Sequence, residues 1–420
     1  MKAADKGGDM ERDSCNDQEQ MELYEKEPQY SNEKTLFILH RSSGVAEYSH
    51  EFAPDLVDPQ LLSGFIGAMA SFLSEFVGSE ESQWKADYGS DTTLIVETGD
   101  WAIGVLAVSR ETSELRSKLR IIVAEFEATY AAFRDSPRFE EGVFVPFDDF
   151  VMRIFVGDRL NPSSRLARRE LNEKTLENAD RRVEIEKLRS VLDEPMKLSR
   201  VANELEVSID EAKECALQAY WKGAINIHFV PERRDVLIPS ENSLSILLSQ
   251  GNPLNLSVKT IQVIGAMDGR TTIGSLIESL GDVDAEPVLH ELGALISQGL
   301  VQMITTEHKL VLTNERILNN FLREICASRI SEDTAKELLV TVIERGTRIH
   351  PWLSRIRIEE GCRVHCLADE YMGPSDLDDM YDALLYVINE LSGTLSEEVD
   401  EKLVQTALAN ARNNTSMTTL

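Results

Sequence analysis

The sequence predicts a multidomain α+β protein, in which an antiparallel sheet near the N-terminus is followed by largely helical domains. Three observations lead to this prediction. The chain has 420 residues, too many for one ordinary core and suited to roughly two to four domains. Residues 35–136 alternate between strand-like and helix-like patterns, whereas helical periodicity dominates beyond residue 183. Since 42% of the residues are hydrophobic, the chain can bury such cores.

The sheet is predicted from five short stretches that carry apolar runs or apolar–polar alternation. They are residues 35–41, 46–52, 84–88, 92–97 and 101–108. Asp58 and Pro59 begin an amphipathic helix that extends to Val77, and a second helix begins near Thr112 or Ser113. One sheet of five antiparallel strands covered by helices would bury every apolar face, and a short helix at 147–157 closes this domain of residues 35–160.

This element order resembles the longin (profilin-like) domain, in particular the longin-like proteins of archaea that are related to eukaryotic trafficking machinery. The segments that carry the resemblance are residues 35–41, 61–66, 93–97 and 115–130. A roadblock domain has a similar sheet but begins with a helix, and the acidic residues 1–34 are a poor candidate for one. The resemblance implies protein partners, namely a small GTPase or other longin or roadblock proteins.

Two further segments each show three helices followed by two strand-like runs, the winged-helix pattern. The first, unit 1 (residues 183–240), has its hairpin predicted at 225–230 and 235–239. The second, unit 2 (residues 241–313), has its hairpin at 300–304 and 310–312, and Gln298-Gly-Leu-Val301 mirrors Lys222-Gly-Ala-Ile225. The sequence therefore predicts tandem winged helices.

The rest of the chain is assigned from its charge and periodicity. Residues 165–189 hold eight basic and six acidic side chains, so residues 161–182 are predicted to be a charged, solvated linker helix. Residues 314–412 are predicted to be a mostly helical C-terminal domain with short strands at 356–358 and 364–367. Residues 1–34 and 413–420 are predicted to be polar tails, the first an acidic, disordered one.

A longin domain joined to winged helices also resembles the layout of nitrogen permease regulator subunits, which belong to complexes that control small GTPases in nutrient signalling. Those complexes use a catalytic arginine on a longin loop. Arg110 follows the last strand of the sheet and matches that arginine by approximate position, without a local motif. The resemblance implies a GTPase-activating subunit as one alternative to a non-enzymatic adaptor.

The sequence offers no set of residues for catalysis, a cofactor or a metal. Neither G-x-x-x-x-G-K-[ST] nor G-x-G-x-x-G occurs, so a nucleotide-hydrolysing enzyme of the P-loop type is not expected. Cys362, His365 and Cys366, with His350 as a fourth ligand, form the one candidate zinc site in the sequence. That run lacks a second paired half, and neighbouring residues on a strand point to opposite faces. We therefore expect no metal, no cofactor and no catalytic residue.

The net charge of −30 argues against tight, non-specific binding to nucleic acid or anionic lipid. A winged-helix DNA-binding regulator with a longin-like sensor domain is nevertheless an alternative, because Arg233 and Arg234 supply a basic pair in unit 1. Unit 2 has no Lys or Arg between Thr271 and His308, which makes its DNA contact unfavourable.

The compartment is predicted from what the sequence lacks. It shows no secretory signal, no transmembrane segment and, with five cysteines, no disulfide framework, so a cytoplasmic location is expected. Dimerisation with itself or with another chain is left open.

Overall fold

A computed structural model describes residues 32–52, 83–87, 92–135, 142–169, 182–240, 243–249, 251–281, 284–328, 330–366 and 374–417. The architecture is α+β with small antiparallel sheets, as predicted. Most of the predicted N-terminal tail lies outside these residues, and so does the helix predicted between Asp58 and Val77.

Five strands build the N-terminal sheet. They are β1 (Glu33–His40), β2 (Ala46–Glu51), β3 (Gln83–Asp87), β4 (Thr93–Thr98) and β5 (Ala102–Val108). Their order is β2-β1-β5-β4-β3, and every neighbouring pair is antiparallel. The predicted five-stranded antiparallel sheet is confirmed, with each strand within two residues of its expected position. Strands β2 and β3 are its edges.

Helix α1 (Ser113–Thr129) packs on β4 and β5. The hydroxyl of Thr112 accepts a hydrogen bond from the backbone N–H of Leu115, which satisfies a donor at the helix N-terminus. Its apolar face is fully buried and consists of Leu115, Leu119, Ile122 and Phe126. Helix α2 (Phe147–Phe155) follows and packs on α1. The opposite sheet face holds a separate buried cluster of Phe37, Leu39, Leu94, Val96, Ile103, Val105 and Ala107.

The next twelve elements belong to the two predicted units and to the linker before them. They are β6 (Arg165–Arg168), α3 (Arg182–Val191), β7 (Met196–Lys197), α4 (Leu198–Leu205), α5 (Ile209–Trp221), β8 (Ile225–His228), β9 (Leu237–Pro239), α6 (Leu244–Leu247), α7 (Val258–Gly265), α8 (Ile273–Ser279), α9 (Ala285–Ser297) and β10 (Val301–Met303). The predicted helices of both units are confirmed.

The predicted linker helix is wrong at its start. Residues 165–168 form β6, which pairs with β7 and with β8 of unit 1. Leu166 is completely buried and Ala167 is buried beside it, so this short segment gains more from sheet burial than from solvation as a helix. Residues 170–181 of the predicted linker lie outside the described residues, and α3 begins at Arg182.

Both predicted hairpins are wrong as well. Strand β8 pairs with β6, whereas β9 pairs with β10 of unit 2. For each set of helices, a strand that precedes the set therefore pairs antiparallel with the strand that follows it: β6 with β8, and β9 with β10. Residues 310–312, predicted to be a strand, lie inside a long helix. The same order of helices and strands does occur twice. In both cases, however, the paired strands are separated in sequence by the helices and are not joined by a tight turn.

The C-terminal domain is mostly helical, as predicted. Its elements are α10 (Thr306–Ser328), α11 (Glu332–Gly346), β11 (Ile356–Ile358), β12 (Val364–Cys366), α12 (Pro374–Glu398) and α13 (Glu401–Met417). Helix α10 packs on both α12 and α13, and the two strands form a small hairpin. Short 3-10 turns occur at Ala131–Phe133, Gly157–Arg159, Pro351–Arg355 and Glu360–Cys362.

The hydrophobic cores do not follow the predicted boundary at residue 160. One core is continuous from Leu36 in the sheet to Ile227 in unit 1. Unit 2 has a second core, and the C-terminal domain has a third. The sheet and unit 1 are therefore joined by apolar packing. Within the described ranges, none of the helices combines the length and the apolar character needed to cross a bilayer.

Candidate functional site

The Arg110 loop (residues 109–112) joins β5 to α1 and is held by hydrogen bonds to its backbone. The side-chain carbonyl of Asn32 accepts from the N–H of Arg110 at 2.7 Å, and the Asn32 amide nitrogen donates to the carbonyl of Arg110 at 2.8 Å. The N–H of Ser109 donates to the backbone carbonyl of Asn32 at 2.8 Å. The side chain of Arg110 is exposed, and within the described part of the chain it forms no ion pair. The loop thus presents an exposed cation on a hydrogen-bonded backbone.

The C-terminal end of the loop is held by ion pairs of Glu111, and the helix start that follows it is bonded to unit 2. Glu111 forms ion pairs with Arg116 and with Lys85 on β3, the latter at 2.9 Å. The side-chain oxygen of Gln302 on β10 accepts from the Ser113 hydroxyl at 3.0 Å and from the Glu114 N–H at 3.2 Å. Because Gln302 is buried, these bonds form away from water.

A buried ion cluster lies beneath the N-terminus of α1. Glu114 pairs with Lys118 and with Arg159, both at 2.8 Å, and Arg159 also pairs with Glu33 on β1 at 3.0 Å. Each of these four side chains is less than a tenth exposed. Burial alone would raise the pKa of Glu114, but the charges of Arg159 and Lys118 outweigh it and lower that pKa to about 2. The cluster therefore sets two buried carboxyl groups against two buried basic side chains, and its basic groups favour the ionised form of Glu114.

Among the described residues, the edge strand β2 pairs on one side only, and some of its backbone groups face away from the sheet. The N–H of Phe52 donates to the carbonyl of Lys34, so Phe52 turns its amide towards β1. In an antiparallel pair, alternate residues turn their amides away from the neighbouring strand. Thr35 faces Glu51 and Phe37 faces Ser49 in the register, so the amides of Ser49 and Glu51 point outward. Both residues are exposed, and the edge can accept another strand.

The inward face of β2 carries a polar cluster that the sequence did not suggest. The Tyr48 hydroxyl donates to Asp148 on α2 at 2.7 Å, and His50 Nδ1 lies 3.2 Å from the same carboxylate oxygen. The His50 ring stacks on Trp221 of α5, with 4.2 Å between ring centroids. Burial, and then Asp148, raises the pKa of Tyr48. Asp148 therefore joins the sheet to α2.

The outer side of α1 is covered by other parts of the chain. Arg120 pairs with Glu307 of α10 at 2.8 Å and with Asp378 of α12 at 3.0 Å. The hydroxyl of Ser117 also donates to Glu307. No local spacing in the sequence signals the contacts that Asp378 and Asp148 make with distant parts of the chain. Helix α1 is therefore not an open docking face along these residues.

The features that DNA contact would use are engaged within the chain. Arg233 pairs with Glu278 of α8 at 3.3 Å, and Arg234 pairs with Glu232. Helix α9, which would enter the groove in unit 2, carries Glu286. That carboxylate pairs with Arg165 and Lys197 of the unit 1 sheet, both at 2.9 Å. These contacts favour a protein partner over DNA.

The cysteine–histidine run does not converge on one point. Cys366 is buried on β12, whereas the adjacent His365 lies on the other face of that strand, half-buried. The Cys362 thiol donates to the carbonyl of Glu332 at 2.9 Å, and His350 contacts the ring of Tyr386. Across the described ranges, no three His, Cys, Asp or Glu side chains are placed to hold a metal ion.

Comparison with protein-family models and with curated proteins finds no match to this sequence.

Proposed function

We propose that this protein is a non-enzymatic multidomain adaptor whose longin-like sheet binds a protein partner, either a small GTPase or another longin or roadblock protein. The observation that carries the proposal is the exposed edge of β2, in a sheet of order β2-β1-β5-β4-β3 on which α1 packs. The resemblance to longin domains supplies the class of partner.

The edge is preferred to the helix because α1 is already covered. Arg120 and Ser117 of α1 contact α10 and α12, while Ser49 and Glu51 on β2 remain exposed. A partner strand added to β2 would gain main-chain hydrogen bonds from the outward amides. Glu47 and Glu51 lie along this strand, so the chemistry of the edge suits a partner strand that carries Lys or Arg.

Replacing Ser49 by proline should abolish edge pairing while preserving the fold. Proline removes only the Ser49 N–H, which points away from β1, so the bonds between β1 and β2 remain. We expect binding to weaken about tenfold or more, because a backbone donor is lost and the ring blocks the approaching strand. Biosensor binding of the full chain to small GTPases in both nucleotide states, and to longin and roadblock proteins, measures this.

The matched control is Ser49→Ala, which keeps the N–H and should bind like the wild type. Circular dichroism of both variants checks the fold. Equal binding of Ser49→Pro and Ser49→Ala would exclude the edge as the docking surface. Absence of binding to every partner of these classes would overturn the adaptor proposal.

A second candidate function, a GTPase-activating subunit, is favoured by the geometry of Arg110. A stimulating arginine must reach the phosphates of a bound partner and stabilise the charge that develops there. The exposed Arg110 side chain on a backbone clamped by Asn32 fits that requirement. In this alternative the GTPase does the chemistry and this chain supplies the cation.

Arg110→Ala should then lower GTP turnover by a stimulated small GTPase about 10³-fold or more, while leaving binding of the GTPase nearly unchanged. Arg110→Lys should recover only part of the stimulation, because lysine cannot donate in the planar, bidentate geometry of arginine. Single-turnover hydrolysis with the full chain measures this effect. Arg348→Ala, at an exposed arginine of the C-terminal domain, is the control. If stimulation is unchanged in Arg110→Ala, the candidate fails.

A further inference from the structure

Unit 2 touches the groups at the two ends of the Arg110 loop, namely Asn32 and the first residues of α1. At one end, Asn32 clamps the backbone of Arg110, and at the other end Gln302 caps the start of α1. One short segment of unit 2, residues 299–302, which joins α9 to β10, touches both Asn32 and the start of α1. It therefore lies against the groups that flank the four-residue loop on either side.

The contact at Asn32 is so close that a side chain at residue 299 would displace the Asn32 amide group. A Cβ atom added to Gly299 would lie 2.4 Å from the Asn32 amide nitrogen and 2.6 Å from its Cγ. Gly299 also has φ +66, in the left-handed region that glycine adopts without penalty. The turn after α9 therefore rests directly against the amide group that holds Arg110.

The contact at Gln302 is buried and specific. One side-chain oxygen accepts two hydrogen bonds, from the Ser113 hydroxyl and from the Glu114 N–H. Gln302 is 2% exposed, so loss of this acceptor would leave both donors without a partner in a site that water does not reach.

We infer that residues 299–302 of unit 2 set the conformation of the Arg110 loop, and that Asn32 and Gln302 are positioning residues for Arg110. This inference rests on the proposed stimulating role of Arg110. Unit 2 would then do more than separate the neighbouring domains. A partner that displaces unit 2 from α1 would release the loop, and Arg110 would lose its fixed position.

The test compares Gly299→Ala with Gly223→Ala. Gly223 occupies the matching turn of unit 1 with φ +67, and among the described residues a Cβ there meets only an Arg169 nitrogen, at 4.0 Å. Both variants carry the same backbone penalty, but only Gly299→Ala displaces Asn32. We expect hydrogen exchange at the Ser109, Arg110 and Glu114 amides to accelerate about tenfold or more in Gly299→Ala alone. Stimulation of GTP turnover should fall with it, while GTPase binding is retained.

Asn32→Ala and Gln302→Met make the same test without a change at glycine. Both should accelerate exchange in the loop, and both should lower the single-turnover rate without changing binding of the GTPase. Unchanged exchange in Gly299→Ala and in these two variants would overturn the inferred clamp, whatever Arg110 does. Faster exchange with undiminished stimulation would overturn the positioning role. An unaltered rate in Arg110→Ala would instead remove the proposed stimulating function, and with it the role of these residues as positioning groups.

Discussion

Arg159→Met should destabilise the core shared by the sheet and unit 1 by about 3–5 kcal/mol. Arg159 forms ion pairs with Glu33 and Glu114, and all three side chains are less than a tenth exposed. Without the guanidinium, one buried positive charge, on Lys118, faces two buried carboxylates. The loss exceeds that of a surface pair, because the uncompensated charge cannot regain its hydration without local unfolding.

Urea denaturation followed by tryptophan fluorescence measures this effect, because Trp101 and Trp221 both pack in that core. The control is Arg234→Met, which removes an exposed pair with Glu232 and should change the free energy of unfolding by less than about 1 kcal/mol. If Arg159→Met were no more damaging than Arg234→Met, the buried ion cluster would not contribute to the stability of this core.

The same variant should change how stability depends on pH. In the wild type, the pKa of Glu114 is about 2 in the folded protein, below its ordinary value of 4.5. Its contribution to stability is therefore complete above pH 4.5 and is lost as the pH falls towards 2. In Arg159→Met, burial would raise the pKa of this carboxyl instead. The deficit of the variant should therefore shrink on acidification from neutral pH, whereas a deficit that is constant with pH would contradict the electrostatic explanation.

The sheet could be predicted from the sequence because its signals are local. Thr35 to His40 form an apolar run, Thr112 caps α1, and Leu115, Leu119 and Phe126 recur at helical spacing. These patterns depend on neighbours along the chain, which is why strand positions agreed within two residues.

The strand pairs of the two units could not be predicted in this way. The charge pattern predicts a solvated helix where β6 lies, because the two apolar residues Leu166 and Ala167 are flanked by basic residues. Its partner β8 lies far along the chain, and a strand of four residues has almost no periodicity of its own. The polar contacts of the site, such as Asn32 with Arg110, likewise join residues distant in sequence, and no short motif signals them.

Gly293→Ala should separate α9 from unit 1 and destabilise the junction of the two units by about 1–3 kcal/mol or more. A Cβ at this position would lie 1.8 Å from the carbonyl oxygen of Phe229 and 2.9 Å from its carbonyl carbon. These are backbone atoms, which cannot rotate away as a side chain would, so helix α9 itself must shift. The ion pairs of Glu286 with Arg165 and Lys197 lie at the same junction and should be lost with it.

The matched control is Gly393→Ala in α12, where an added Cβ meets no atom within 4 Å among the described residues. Alanine should stabilise that exposed helical position by about 0.5–1 kcal/mol, so the two variants are expected to differ in sign. Urea denaturation and limited proteolysis between β8 and β9 measure the difference. Equal stability of both variants would contradict the close packing of α9 on Phe229.

Because that packing turns α9 towards unit 1, Gly293→Ala would also expose the helix on which DNA contact by unit 2 depends. We expect no gain of DNA affinity in that variant, because Glu286 and Glu291 would then face the phosphates. A gain would show that the acidic side chains of α9 do not prevent DNA binding.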